Sequence, residues 1–546
     1  ATLACRTAVR LHSKANNPKP MPTESRYLLE NKDSPVRWRE RLVAELDLVA
    51  DPAESYRLAC CDSFDWRLYS AGRRLNWLQY PGYSLLRLVR LEDNATEAEL
   101  ELGTVDTRFA AGLPASELRD SIEPLLDIRA FLPLVTLKIR SHCLRLEDGE
   151  GKTRARLYVE SISRLTEEGG AGVMMKRLRL QPLRGYEKSA LAIGRKLEKK
   201  YHLQADAGSL CERALAAAGR QPGDYSSKLN IQLQEDMRAD AAVRRVMLDL
   251  YHTMQVNEQG TIEDLDSEFL HDFRVAVRRT RSALTELKGV FPPATHERFK
   301  REFAWLGSVT TTLRDLDVYL LKFNRYKAML PQDLREGLEP LRDLLRDKQH
   351  IEQTQHLAVQ LQGARYRRLK QQWLRYLESP LAKRPVASDA ARPIGEVARR
   401  RTWRMYKRVM REGRAITDES PAVELHELRK SCKKLRYLME FFQCLYRPKA
   451  IRAMIGELKQ LQENLGDYQD LDVQIASIEH YAEEMDQRGV YDNATATAMQ
   501  ALLAGLHTQM DDVRAHFHER FERFSLKETR GLFRELFRPE PASANR

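Results

Sequence analysis

The sequence predicts two architectures in series: an α+β N-terminal domain built on an antiparallel sheet, then an all-α helical bundle made of two pseudo-symmetric repeats. Three observations carry this. Up to about Leu203, apolar and polar residues alternate with the period of half-buried strands. From Tyr225 onward nearly every stretch is an amphipathic helix. Inside that helical half, one pattern occurs twice, 155 residues apart.

In order, strands are expected at 84–92, 96–105, 135–147, 153–162 and 173–183, with a hairpin turn in Glu147–Lys152, where acidic residues and glycines cluster. A helix follows over 187–201. Residues 1–20 are expected to be disordered, 21–203 to form the sheet domain, and 204–224, rich in small residues and closed by Pro222-Gly223, to be a linker. The bundle occupies 225–546, with one repeat over about 225–378 and the other over about 394–540. Breaks are expected at 258–264, 290–296, 330–333, 378–393 and 416–421.

Composition narrows the function classes. The 546 residues are 42% hydrophobic and 31% charged, which suits folded domains. No run approaches the roughly 20 apolar residues that span a bilayer, so no membrane partner is expected. The first 22 residues lack an apolar signal core. Seven scattered cysteines form no CxxC pair, so neither a disulfide framework nor a zinc site is expected, and a cytoplasmic location is. The net charge of +12 is shared equally between residues 1–220 and 221–546, so any anion-binding signal must lie in how the charges are arranged.

The repeat shows that arrangement. His271, Arg274, Arg278, Arg279 and Arg281 match His426, Arg429, Lys433, Lys434 and Arg436, and Asp315-Leu316-Asp317-Val318 matches Asp470-Leu471-Asp472-Val473 at the same offset. At about 100° per residue, His271, Arg274, Arg278 and Arg281 fall within an arc of roughly 80°. Phe273, Val277, Leu284 and Leu287 adjoin them on the core side; Leu428, Cys432, Met439 and Phe442 do so in the second copy. A basic stripe bordering an apolar face is expected to line a groove between helices. The plainer alternative is a solvated charged face. Like charges at i+3 and i+4 repel by a few tenths of a kcal/mol per pair, a cost that an anionic ligand would offset.

Other basic residues on nearby helices are candidates for the same groove: Arg365, Arg368, Arg400, Arg404, Lys407 and Arg408. Asp315, Asp317, Asp470 and Asp472 either hold arginines in place or bind metal; carboxylates two apart on a helix do not point the same way, which favours the first. His271 and His426 either hydrogen-bond at the core edge or donate to phosphate. Forked Arg donors and Lys point charges suit phosphate oxygens. The stripes lack the aromatics for base stacking and the Asn or Gln for base edges, so a polymer of phosphate without bases fits them better than nucleic acid.

With its duplicated HxxRxxxRR pattern and downstream DLDV, residues 225–540 resemble the CHAD domain, the conserved-histidine α-helical domain. The resemblance implies a pseudo-twofold bundle whose basic central channel binds inorganic polyphosphate; polyphosphate granules are an expected place for that binding. By motif position it implies His271, Arg274, Arg278, Arg279 and Arg281 on the first basic helix, and His426, Arg429, Lys430, Lys433, Lys434 and Arg436 on the second.

Residues 20–203 resemble a degenerate CYTH domain, the triphosphate-tunnel fold, through 63–79, 136–161 and 182–190. Its ExExK strand is not intact: Glu24 is followed by Arg26 and Leu28. Glu97, Glu99 and Glu101 share one strand face, while Arg73, Lys138, Arg140, Arg154 and Arg156 either hold phosphate or are ordinary outward strand residues. No P-loop, HExxH or GxSxG occurs. The expected function is therefore polyphosphate binding without cofactor or catalytic residues. Two alternatives are a divalent-metal-dependent triphosphatase in the N-terminal domain and a nucleic-acid-binding scaffold.

Overall fold

A computed structural model of the chain describes residues 24–29, 34–103, 107–166, 171–206 and 208–539; the segment 1–20 lies outside them. Two compact units form, Ala1–Ser226 and Ser227–Arg546.

The first unit contains β1 (Ser25–Leu29), α1 (Pro35–Leu46), β2 (Val49–Ala50), β3 (Glu54–Asp62), α2 (Arg67–Ser70), β4 (Arg73–Tyr80), β5 (Tyr83–Arg90), β6 (Thr96–Leu102), α3 (Glu117–Leu126), β7 (Leu132–Glu147), β8 (Thr153–Leu165), β9 (Ala171–Pro182), α4 (Glu187–Tyr201) and α5 (Leu210–Ala217). The strands join in one antiparallel sheet, ordered β1-β9-β8-β7-β3-β4-β5-β6, with β2 on β7. The α+β class is as the alternation predicts. In β7, Val135, Leu137 and Ile139 are buried while Lys138 and Arg140 are exposed, the two-residue period that the sequence shows.

Two expectations fail here. Residues 204–224 are not a bare linker: α5 forms there, with Ser209 accepting the Glu212 amide at its start, and Leu210, Ala214 and Leu215 pack against Leu58, Val135 and Leu137. A disulfide also joins Cys60 of β3 to Cys211 of α5, with Cα atoms 5.9 Å apart. Scattered spacing suggested only free thiols. The pairing depends on α5 docking on the sheet across 151 residues of sequence, which spacing does not reveal.

The second unit is helical: α6 (Ala239–Ile262), α7 (Ser267–Glu286), α8 (Pro293–Val309), α9 (Thr311–Met329), α10 (Glu339–Ile351), α11 (Ala358–Gln362), α12 (Ala364–Glu378), α13 (Ile394–Ala415), α14 (Ala422–Phe441), α15 (Pro448–Gln487), α16 (Asn493–Ala515), α17 (Phe517–Phe524) and α18 (Lys527–Phe537). Its elements obey the 155-residue offset closely. The bounds of α7 shifted by 155 are those of α14, the first residue of α6 maps to the first of α13, and Pro293 of α8 maps to Pro448 of α15.

The duplication is also written in hydrogen bonds. The Ala239 amide donates to the Arg392 carbonyl at 2.9 Å, and its mate Ile394 donates to Met237, the mate of Arg392, at 2.8 Å. Asp240 to Ala390 and Gly395 to Glu235 repeat the reciprocity, both at 3.0 Å. Such an exchange is what a local twofold relation requires.

One apolar core spans both repeats, and every residue assigned to the inner faces of α7 and α14 is buried: Phe273, Val277, Leu284, Leu287, Leu428, Cys432, Met439 and Phe442. Truncating Phe273 or Phe442 to Ala should cost about 3–5 kcal/mol. At the C-terminus, α18 closes on α13, where Phe533 stacks on Tyr406 with ring centroids 3.9 Å apart.

A cationic groove between two related helices

α7 starts at Asp266, whose carboxylate accepts the Glu268 amide at 2.9 Å and so fixes the register of the stripe behind it. With its apolar side in the core and α14 packed alongside, part of each basic stripe faces a common cavity of about 360 Å³. α7 contributes Arg278 and Arg281. α14 contributes His426, Arg429, Lys430, Lys433 and Lys434.

The cations differ in how they are compensated. Arg429 donates to Asp470 at 2.9 Å, Lys430 to Glu427 at 2.8 Å, and Lys434 lies 3.2 Å from Glu286. His426 is held through Nδ1 by the Gln469 side chain. Arg278, Arg281 and Lys433 have no ion pair among the described residues. Lys433 is half-buried, and burial together with Arg429 and Arg278 pushes its amine down to about 7; Asp470 opposes the shift and Arg436 adds to it. Burying a cation among cations is unfavourable unless an anion joins them.

Several predicted residues lie outside the cavity wall. Arg274 is half-buried, donates to the Thr310 hydroxyl at 3.1 Å, and is pushed down to about 10 chiefly by burial, against the pull of Asp315. Asp315 is itself shifted up by burial, so desolvation outweighs the attraction on both sides. His271, half-buried one turn earlier, does not line the cavity. Arg279 turns away, donating to the Ser227 carbonyl at 2.9 Å and to Glu440 at 3.1 Å, and Arg436 lies 3.5 Å from Glu440. These two serve the helix packing.

The remaining candidates do not share the groove. Arg400 is held by Asp389 at 2.5 Å, Arg404 and Lys407 are exposed on α13, and Arg408 pairs with Glu412. Arg365 and Arg368 line a different depression. Asp470 does hold an arginine. Asp317 and Asp472 instead accept side-chain amides, from Gln349 and Gln469, both at 3.3 Å. Among the described residues, no three His, Cys, Asp or Glu side chains are placed to hold a metal ion.

In the sheet unit, a cavity of about 1110 Å³ is lined by alternate residues of nearly every strand, among them Arg26, Tyr56, Arg74, Tyr80, Arg177 and Arg179. None of Arg73, Lys138, Arg140, Arg154 and Arg156 lines it. Lys138 and Arg140 fall on the opposite face of β7, Arg73 is taken by Glu97 at 2.8 Å, and Arg154 lies 3.6 Å from Asp148. Glu99 and Glu101 line it and Glu97 does not, because the register of β5 on β6 shifts beside it. Arg177 and Arg179 lie on β9, outside the segments that carried the resemblance; Arg74 lies within 63–79, but adjacent residues of β4 face opposite sides of the sheet and its neighbour Arg73 is the wrong one of the pair; Arg26 enters the sequence reading only as a break in the ExExK pattern.

Their charges are mostly spent. Buried Glu160 accepts from Arg177 at 2.6 Å and Arg179 at 3.2 Å; Arg179 also donates to Glu24 at 2.8 Å, and Arg87 to Glu99 at 2.5 Å. Both arginines hold the Glu160 carboxyl below its usual range in spite of its burial. Of the four carboxylates that line the cavity, Glu24 and Glu99 are thus claimed by guanidinium groups, while Glu54 and Glu101 complete the lining.

Residues 245–479 match the family model of the CHAD domain. The helical unit carries a CHAD domain. Among solved structures, the CHAD domain from the plant Ricinus communis is 28% identical, with 53% of this chain and 95% of that one covered and a TM-score of 0.44. PptA from Streptomyces chartreusis is 15% identical, with 52% of this chain and 100% of that one covered and a TM-score of 0.41. HpAC1 from Hippeastrum, described as having a dominant triphosphatase activity, is 14% identical, with 37% of this chain and 99% of that one covered and a TM-score of 0.27. No curated protein matches the chain. Among the described residues no helix is long and apolar enough to cross a membrane.

Proposed function

We propose that the CHAD domain binds inorganic polyphosphate in the groove between α7 and α14. The observation that carries this reading is the convergence on one cavity of Arg278, Arg281 and Lys433, three cations without a carboxylate partner among the described residues. A chain of phosphates supplies the missing negative charge along the whole groove, and its oxygens match guanidinium forks and ammonium donors. Binding of this kind is dominated by charge neutralisation. Association with polyphosphate granules would follow from it.

The sheet unit is read as a degenerate CYTH-like domain. With Glu24 and Glu99 claimed by arginines, its cavity does not favour a metal-dependent triphosphatase. The nucleic-acid reading is separated by competition. Full-length protein holding a single-stranded RNA should release it when short polyphosphate is added. Replacing Arg274, Arg278, Arg429 and Lys433 together by Ala should abolish polyphosphate retention with helicity unchanged by circular dichroism. Retention undiminished in moderate salt would refute the groove.

A further inference from the structure

The groove does not end at Arg281. Its guanidinium lies against α8 at Gly307, where an added Cβ would stand 2.6 Å from Nη1. Two residues back, on the other side of α8, Trp305 lies under the Arg365 guanidinium, whose carbon is 4.1 Å from the ring centroid. Beyond it, Arg298, Glu302, Arg365, Arg368, Leu369 and Gln372 line a second depression of about 310 Å³ between α8 and α12. Three arginines face a single carboxylate there, Glu302, which Arg365 holds at 3.0 Å. From Gly307 to Arg298 is nine residues of helix, about 13 Å along the axis and half a turn round it, so a bound chain would have to pass round α8.

We propose that this depression is a second anion subsite, reached over α8 from the groove, and that it is filled only by polyphosphate chains long enough to occupy both. The inference rests on the reading of the groove as a polyphosphate site and adds a chain-length preference to it. A short chain neutralises the groove cations alone. A long chain meets Arg298, Arg365 and Arg368 as an intramolecular second contact, so its affinity gains from effective concentration with no change in the groove.

The test titrates full-length protein with tripolyphosphate and with long-chain polyphosphate. In the variant Arg298→Gln, Arg365→Gln, Arg368→Gln, all exposed positions, tripolyphosphate affinity should stay within about two-fold while long-chain affinity falls about ten-fold or more. The variant Arg278→Ala with Lys433→Ala should weaken both ligands. A triple variant that binds long chains as the parent does, or that loses both ligands equally, overturns the subsite. A groove variant that leaves both ligands unaffected refutes the groove reading itself, and the subsite with it. If the triple variant loses only RNA binding, the depression belongs to another ligand and the proposal is wrong.

Discussion

In repeat one the helix that follows the basic stripe stops at Val309 and restarts at Thr311; in repeat two the matching stretch runs unbroken as the 40 residues of α15. Thr310 sits at that break, and Leu465 is its mate in the continuous helix. Arg274 uses the Thr310 hydroxyl, whereas its mate Arg429 reaches Asp470. Further along, exposed Arg278 corresponds to half-buried Lys433. Duplication has kept where the helices run, down to reciprocal hydrogen bonds across the local twofold. It has not kept the charge chemistry. Repeat one offers the cavity guanidinium groups alone, and repeat two offers a guanidinium, an imidazole and amines, among them Lys433, whose proton burial loosens.

The sharpest way to break this comparison is to truncate each of two mates in turn. Arg281 faces the cavity and Arg436 is committed to Glu440. Arg281→Ala should weaken polyphosphate binding about ten-fold, and Arg436→Ala should change it less than two-fold. Equal losses would mean that the groove is symmetric after all. A direct binding titration of both variants checks this.

A smaller effect concerns pH. In the free protein Lys433 loses its proton near 7; a bound anion restores it, so binding takes up a proton above that value. Affinity should therefore fall as pH rises from about 7 toward 9, by up to ten-fold per pH unit, while below 7 this residue adds no further slope. Lys433→Arg should flatten the profile above 7. A parent protein with pH-independent affinity between 7 and 9 would contradict the assignment.

The smallest expected effect separates Asp317 from Asp472. Burial and the nearby Asp264 carboxylate push Asp317 up to about 7. A carboxyl raised on folding costs stability progressively as pH climbs from its unfolded value to its folded one. Asp317→Asn should raise the thermal midpoint by a few degrees at pH 8 and leave it unchanged at pH 4. Asp472→Asn should give no such gain. A lower midpoint for Asp317→Asn at pH 8 would show that the carboxylate is needed charged.

How much of this was legible in the sequence follows from the same comparison. Periodicity sufficed for the inner faces of α7 and α14, because Phe273 and its neighbours recur at helical spacing. Offset alone placed Arg278 opposite Lys433. Partner choice was not legible: that Arg279 turns to the Ser227 carbonyl, or that Arg400 is claimed by Asp389, depends on loops that only packing positions. Arg368 falls in a separate depression because α12 faces α8 there, a packing choice that amphipathicity leaves open. In the sheet unit alternation identified the strands, but a register shift decided which glutamates face the cavity, and α5 hid behind a small-residue composition that read as a linker.

The most direct test of the central claim is the salt dependence of polyphosphate affinity for the full-length protein and for Arg278→Ala, Arg281→Ala, Lys433→Ala. On nucleic acids each neutralised phosphate contributes about 0.7–0.9 to the slope of log affinity against log salt. A steep slope for the parent and one shallower by about two or more for the triple variant are the results expected here. Equal slopes would place the bound polymer elsewhere on the molecule.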